Sequence, residues 1–308
     1  MANFHTDLAL EAFDGQGGGD LPGVHVSRWE TEGVDLTEVR VTDDEASRLL
    51  GKPVGRYLTM ECRGLLKRDP DARAAMASLL SEELSRQLPE APSDACWLVV
   101  GLGNRGITPD ALGPAVVDRT LVTRHLHDHL SPVSPLRPVS AFAPGVMGIT
   151  GIETMDVVES LARLVRPAAV ICVDSLAARD SARIGTTLQL SDAGIQPGAG
   201  VGNHRRSLTR DTVGVPVLAV GMPTVIYAAT LARDAFSWLD GRSDAPTSDE
   251  AALEDMERTL LSADIGSMIV TPREIDSLIQ DAAGVIAAAL NRALQPDLSE
   301  SEIAALMN

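Results

Sequence analysis

The sequence predicts an α/β protein, a parallel or mixed sheet flanked by helices with a β-rich extension on its N-terminal side. Three unbroken apolar runs point to the sheet: residues 96–100 (CWLVV), 168–173 (AAVICV) and 215–220 (VPVLAV). Runs without polar alternation fit strands covered on both faces. Helical stretches separate them, the order of a sheet with crossover connections. The extension rests on strand-like alternation at 24–27, 34–41 and 56–60, ahead of those runs.

In chain order, residues 1–20 lack periodicity and end in Gly-Gln-Gly-Gly-Gly-Asp, which predicts a loosely packed arm. After the three short strands, residues 70–88, rich in Ala, Leu and Glu, predict a helix. Helices between and after the apolar runs are expected at about 114–127, 151–165 and 224–238. Residues 241–250 form a polar loop, and 251–261 a candidate helix. Residues 272–294 predict a closing helix with Thr271 as N-cap, Pro272 at N1 and Glu274 at N3. No internal repeat breaks the chain, and 308 residues are enough for an ample core.

Bulk composition narrows the function classes. Hydrophobic residues make up 44% of the chain, which excludes a disordered protein. The formal net charge of −17 would be repelled by a phosphate backbone, so no direct nucleic acid partner is expected. A basic protein partner is compatible with it. Cys62, Cys96 and Cys172 are odd in number and lack zinc or disulfide spacing, which fits a reducing, cytoplasmic compartment. The N-terminus lacks the basic and apolar regions of a secretion signal. No apolar run reaches membrane-spanning length.

Residues 101–106 (GLGNRG) follow a strand and match the dinucleotide fingerprint G-x-G-x-x-G. Two features of the context argue against it. Thr108-Pro109-Asp110 starts a fresh helix where the third glycine should already lie in one. No acidic strand end follows about 20 residues on, where a ribose contact belongs. No cofactor is expected.

The turn still matters, because functional groups of open α/β sheets gather at the carboxyl ends of strands. Asp110 follows the first apolar strand closely, and Asp174 is the first residue past the second. Two carboxyl groups in different environments can divide the work of activating water and protonating a leaving group. Asp110 sits near a helix start, with Pro109 or Pro114 at N1, where partial positive charge favours the ionised base. Asp174, ending an apolar strand near a like charge, is the candidate acid. Strong coupling would make the titration a property of the pair. Capping and turn roles are the structural alternative for both.

Other chemistry is thinner. No G-x-S-x-G elbow occurs. His125 and His129 would share a helix face without His127, a partial ligand set that reads as a solvated helix end. Cys172 points to the same side of its strand as Asp174 and reads as core. The glycine-rich stretch 194–203, including Gly200 and Asn203, can bring backbone N–H groups close to a peptide carbonyl. A plain surface loop is the alternative.

Several runs together resemble the spore germination protease family: 99–104, 108–114, 121–126, 137–154 (RPVSAFAPGVMGITGIET), 173–179, 198–203 and 268–276. The resemblance extends in order from about Thr6 to Leu294. It implies an endopeptidase that is made as a zymogen, assembles as a homotetramer and cleaves small acid-soluble spore proteins early in germination. It also implies a fold similar to hydrogenase-maturation peptidases and a forespore location. The family's two proposed catalytic aspartates match Asp110 and Asp174. Its activation site matches Thr6-Asp7 before Leu8-Ala9, so residues 1–7 would be a propeptide, 8–308 the peptidase, and Asp7–Leu8 the activation bond. The family prefers an acidic residue before the scissile bond, and the guanidinium groups of Arg205 or Arg206 are candidates to read it. The chain departs from the pattern in a short 241–267 segment. Tyr227 stands where the family has Asp, Gln196 and His204 where it mostly has His and Lys, and Ser175 where it usually has Ala. Two rival readings remain: a metallopeptidase on the same fold with His204 as third ligand, and a non-catalytic protein that sequesters basic spore proteins.

Overall fold

The computed structural model describes residues 6–127, 136–198, 206–240, 250–261, 263, 266 and 268–307. Helix α1 (Ala9–Asp14) precedes an antiparallel meander of β1 (Val24–Thr31), β2 (Val34–Val41) and β3 (Gly55–Glu61), interrupted by α2 (Asp44–Leu50). Helix α3 (Pro70–Gln87) starts at Pro70, capped by the Asp69 side chain. Strand β4 (Trp97–Gly101) leads through a 3-10 turn, Thr108–Asp110, into the short α4 (Leu112–Val117) and then α5 (Arg124–His127). Next come β5 (Val139–Phe142), α6 (Met147–Thr150), α7 (Thr154–Val165), β6 (Ala169–Ala178), β7 (Thr187–Ser191) and α8 (Arg210–Val213). The chain continues as β8 (Val217–Tyr227), α9 (Ala228–Asp240), α10 (Glu250–Leu261), β9 (Ile269–Val270), α11 (Ile275–Leu294) and α12 (Glu300–Leu306).

Among the described residues, nine strands form one sheet in the order β1-β2-β3-β7-β8-β6-β4-β5, with β9 beside β8. The centre, β5, β4, β6 and β8, is parallel, while β7, the β1–β3 meander and β9 are antiparallel. The sheet is therefore mixed, and the extension is continuous with it. One face carries Ile171, Val173, Val220, Leu188 and Met60 under α3, α4 and α11. The other face is covered in two patches. Leu98, Val100, Cys172 and Val217 pack under α7 and α8, whereas Val39, Val41 and Tyr57 pack under α1 and α2. Between the patches, the sheet face near the ends of β6, β7 and β8 is left to the site.

Several local expectations shift. The expected 114–127 helix is α4 and α5 with an irregular 118–123 link. Pro114 fits within α4 because it falls in the first turn, where its missing N–H has no intrahelical partner to lose. The 151–165 helix starts at Thr154, with Gly151 in the left-handed conformation ending α6. Residues 224–227 are strand, because β8 keeps pairing with β6 and β9 to Tyr227, so the helix starts at Ala228. The closing helix starts at Ile275. Thr271 does not cap it, since its hydroxyl donates to the Thr224 carbonyl at 2.8 Å. The arm expected to be irregular contains α1, held by burial of Ala9 and Phe13 against the meander. None of the described helices is long and apolar enough to cross a membrane.

Candidate active site

The glycine turn after β4 is built for backbone packing. A Cβ on Gly101 would lie 2.2 Å from the Gly113 carbonyl oxygen, and one on Gly113 would lie 2.3 Å from that of Leu102. Gly103 has φ +110°, and a Cβ there would meet the Asp110 carbonyl at 2.0 Å. Any side chain would push the strand end and α4 apart. The Asn104 N–H donates to the Asp110 carbonyl at 2.9 Å, and the Asp110 N–H to that of Ile107 at 2.8 Å. The third glycine of the fingerprint, Gly106, stays in the turn, where its N–H donates to the Asn104 side chain.

Asp174 lies within β6 rather than past its end. The strand runs four residues further because β8 supplies a pairing partner over its whole length. The β6–β8 register shifts between Leu176 and Ala177, so that Thr224 is the extra residue of a bulge. Bulges re-aim side chains, and this one does so beside Asp110. The fully buried Thr224 hydroxyl donates to the Pro109 carbonyl at 2.7 Å, one residue ahead of Asp110.

Asp110 and Asp174 line one cleft of about 370 Å³ together with Asp7, Ile107 and Ser175. Asp174 also borders a smaller adjoining cavity of about 120 Å³, lined by Asp7, Lys52, Gln189 and Gly221 among others. Burial pushes the Asp174 carboxyl well above the usual carboxylate range. The nearby Asp110 and then Asp7 carboxylates push the same way, and the Ser175 N–H at 2.9 Å only partly opposes them. The Asp174 carboxyl is thus pushed toward its neutral form in a cleft shared with a second, more exposed carboxyl.

The chain's own N-terminal segment occupies this cleft. The Asp7 N–H donates to the Ala177 carbonyl at 2.9 Å, and the Ala177 N–H to the Asp7 carboxylate at 2.8 Å. Leu8 is fully buried among Leu176, Ala178, Ile184 and Ile226. Behind it, Glu11 accepts from the backbone N–H groups of Arg179 and Asp180, pairs with Arg183 at 3.0 Å and accepts from the Thr6 hydroxyl. Burial outweighs these partners and raises the Glu11 pKa.

The remaining predicted residues divide. Arg206 pairs with Asp156 at 2.7 Å, both side chains being more than half exposed, and it is not among the residues lining either cavity. Gly200, Asn203, Arg205 and the rival metal ligand His204 lie outside the described residues, as does His129. Among the described residues, no group of three or more His, Cys, Asp or Glu is arranged to hold a metal. Cys172 is fully buried core, and burial raises its thiol far out of the reactive range.

Sequence reasoning missed Lys52, Gln189 and Thr224. The signal for Lys52 was its rarity: the chain has two lysines, Lys52 and Lys67, among 26 basic residues. Gln189 and Thr224 sit in β7 and β8, whereas the sequence alone suggests a helix start at Thr224 and no element at Gln189.

An α/β sheet that brings a mid-strand carboxyl and a carboxyl from the turn after β4 to one cleft, beside a segment of its own chain, has the arrangement that acid–base hydrolysis uses. The model of the germination protease family matches residues 8–245. The germination protease of Caldanaerobacter subterraneus subsp. tengcongensis is 43% identical, covering 100% of this chain and 99% of that one. Those of Clostridium tetani (35% identical; 98% of this chain, 99% of that one) and Priestia megaterium (36%; 97% and 96%) match along their length as well. Among solved structures, the [NiFe] hydrogenase maturation protease HycI from Thermococcus kodakarensis aligns over 68% of this chain and 98% of that one, with TM-score 0.31 and 14% identity. The chain belongs to the germination protease family, and it is a peptidase.

Proposed function

We propose that this chain is an endopeptidase that opens the degradation of small acid-soluble spore proteins during germination. It is made as a zymogen in the spore core, cuts its own Asp7–Leu8 bond, and works as a homotetramer without direct nucleic acid or membrane contact. Asp110, as carboxylate, takes a proton from water as the water oxygen bonds to the carbonyl carbon ahead of the scissile bond. Asp174, held protonated, gives its proton to the departing amine nitrogen as the C–N bond breaks. The two carboxyls then exchange one proton through solvent to reset.

The observation that carries this reading is the buried Asp174, with its raised pKa, beside Asp110 in a cleft that holds Asp7. A structural turn Asp is exposed and ionised, whereas a carboxyl kept neutral beside another carboxyl suits proton transfer. The net charge of −17 is compatible with a basic protein substrate. The test uses Asp110→Asn and Asp174→Asn, each assayed for release of residues 1–7 and for digestion of a purified small acid-soluble spore protein. Loss of both activities in each variant is expected, and full activity in either removes that residue from the mechanism.

A further inference from the structure

The pairing registers place Gln189 in the site. Asp174 on β6 stands opposite Gly221 on β8, and Gly221 stands opposite Gln189 on β7. Residues directly opposite across a sheet point to the same face, so Asp174 and Gln189 face the same side. They are two strand spacings apart, about 10 Å between backbones. Between them Gly221 adds no side chain, and a Cβ there would lie 2.5 Å from Leu176 Cγ.

Gln189 straddles the Asp7–Leu8 bond. Its Nε2 donates to the Asp7 carbonyl oxygen at 3.2 Å, and its Oε1 accepts from the Ala9 N–H at 2.8 Å. The amide orientation follows from chemistry: a backbone N–H can only donate, so the oxygen must face Ala9 and the nitrogen the carbonyl. One residue earlier, Lys52 Nζ donates to the Thr6 carbonyl at 2.8 Å. Its ammonium is buried, which lowers its pKa, and the charges that counter this are Asp7 first and then Glu11. With the Asp7 N–H on Ala177, the segment is gripped on both sides of one peptide bond.

We propose that Gln189 is a further catalytic residue, donating the hydrogen bond to the carbonyl under attack, and that Lys52 sets specificity for an acidic residue just before the scissile bond. This rests on the reading of Asp7–Leu8 as a substrate bond. As water adds to the Asp7 carbonyl carbon and gives its proton to Asp110, negative charge grows on the oxygen that Gln189 Nε2–H already touches. A donor fixed there gains strength as the charge develops and costs no reorganisation. As the C–N bond breaks and the Asp174 proton passes to the Leu8 nitrogen, the Gln189 oxygen still holds the Ala9 N–H and keeps the departing strand in line. On the other side, a buried ammonium with an acidic side chain beside it is compensated, and with a neutral one it is not.

The experiment measures release of residues 1–7 from the full chain by mass spectrometry, and in trans the cleavage of peptides containing Thr-Asp-Leu-Ala or Thr-Asn-Leu-Ala. Gln189→Met removes the donor at similar volume. It should slow self-cleavage about 10²- to 10³-fold, and in trans it should lower kcat rather than raise KM. If Gln189→Met does not fold, Gln189→Glu, which keeps the acceptor for Ala9 and loses the donor, should show the same fall. Lys52→Met should erase the preference for the Asp peptide, an effect of about tenfold or more, because it removes the positive charge that stands beside the Asp7 carboxylate. Cleavage by the Gln189 variants within threefold of wild type, with Asp174→Asn inactive, overturns the role of Gln189 and leaves the two-aspartate reading intact. An unchanged Asp-to-Asn ratio in Lys52→Met overturns the role of Lys52. A wild-type chain that cuts neither its own Asp7–Leu8 bond nor the peptides removes the underlying reading, and this inference with it.

Discussion

Replacing Asp174 by Asn should destroy activity and stabilise the fold, an unusual pair of effects from one atom exchange. Asn keeps the oxygen that accepts from the Ser175 N–H and cannot ionise. In the wild-type protein the folded pKa lies well above the ordinary 3.8, because of burial, Asp110 and Asp7. Between 3.8 and the folded pKa, the native state holds a proton that the unfolded chain has released. The unfolded state therefore binds fewer protons, and wild-type stability falls as pH rises through that window. Below it the carboxyl is protonated in both states, and Asn and Asp should be equally stable. Above the folded pKa the full penalty applies, roughly 1.4 kcal/mol for each unit of upward shift. The Asn variant escapes it. For a chain of this size each kcal/mol moves Tm by about 2 °C. The measurement is a Tm series from pH 4 to 9 on both proteins, beside a cleavage assay at each pH. A gap in favour of Asn should open with rising pH, with cleavage down at least about 10²-fold, the scale of a lost general acid. A variant less stable than wild type at every pH, or one cleaving at the wild-type rate, would refute the reasoning.

Glu11→Ala strips the acceptor from the buried Arg179 N–H and the half-buried Asp180 N–H, and leaves Arg183 without one of its partners. It should cost about 3 kcal/mol in urea denaturation and speed amide exchange in residues 7–14. Gly113→Ala puts a methyl group 2.3 Å from the Leu102 carbonyl oxygen and 2.5 Å from that of Val173. Backbone must move, so a loss of about 1–3 kcal/mol is expected, with kcat down about 10²-fold because Asp110 is displaced. Thr224→Val keeps shape and removes the donor to the Pro109 carbonyl. Melting and steady-state kinetics should report a stability loss of about 1 kcal/mol and a fall in kcat, with KM little changed.

The three apolar runs announced the central strands because a parallel strand buried on both faces leaves no polar alternation to confuse it. The α3 helix was equally legible, starting at Pro70 after its Asp69 cap. Short β5 was not, since the four residues VSAF carry no periodicity, and β7, although TLQLS alternates polar and apolar, is only five residues long. Strand β8 was cut short in the reading at Val220. Its continuation, GMPTVIY, contains Gly and Pro, which weaken a strand reading; Gly221 is nonetheless regularly paired on both sides, and Pro223 stands next to the bulge at Thr224. Helix α1 is six residues long and holds its shape by packing Ala9 and Phe13 on strands far along the chain. Nothing local signals it.

The sequence by itself determined the fold class, the family, and the candidacy of Asp110 and Asp174, because each is written in contiguous residues: apolar runs, motif strings, and acids that follow the apolar runs. Only the tertiary structure decided what surrounds those acids. Register across three strands aligned Asp174 with Gln189, a bulge tied Thr224 to the residue before Asp110, and the fold brought Asp7 and Lys52 to the smaller cavity that Asp174 borders. The physical reason is that a pKa, a hydrogen bond and a burial belong to neighbours in space. Asp7 and Gln189, 182 residues apart, become neighbours only when the sheet has closed.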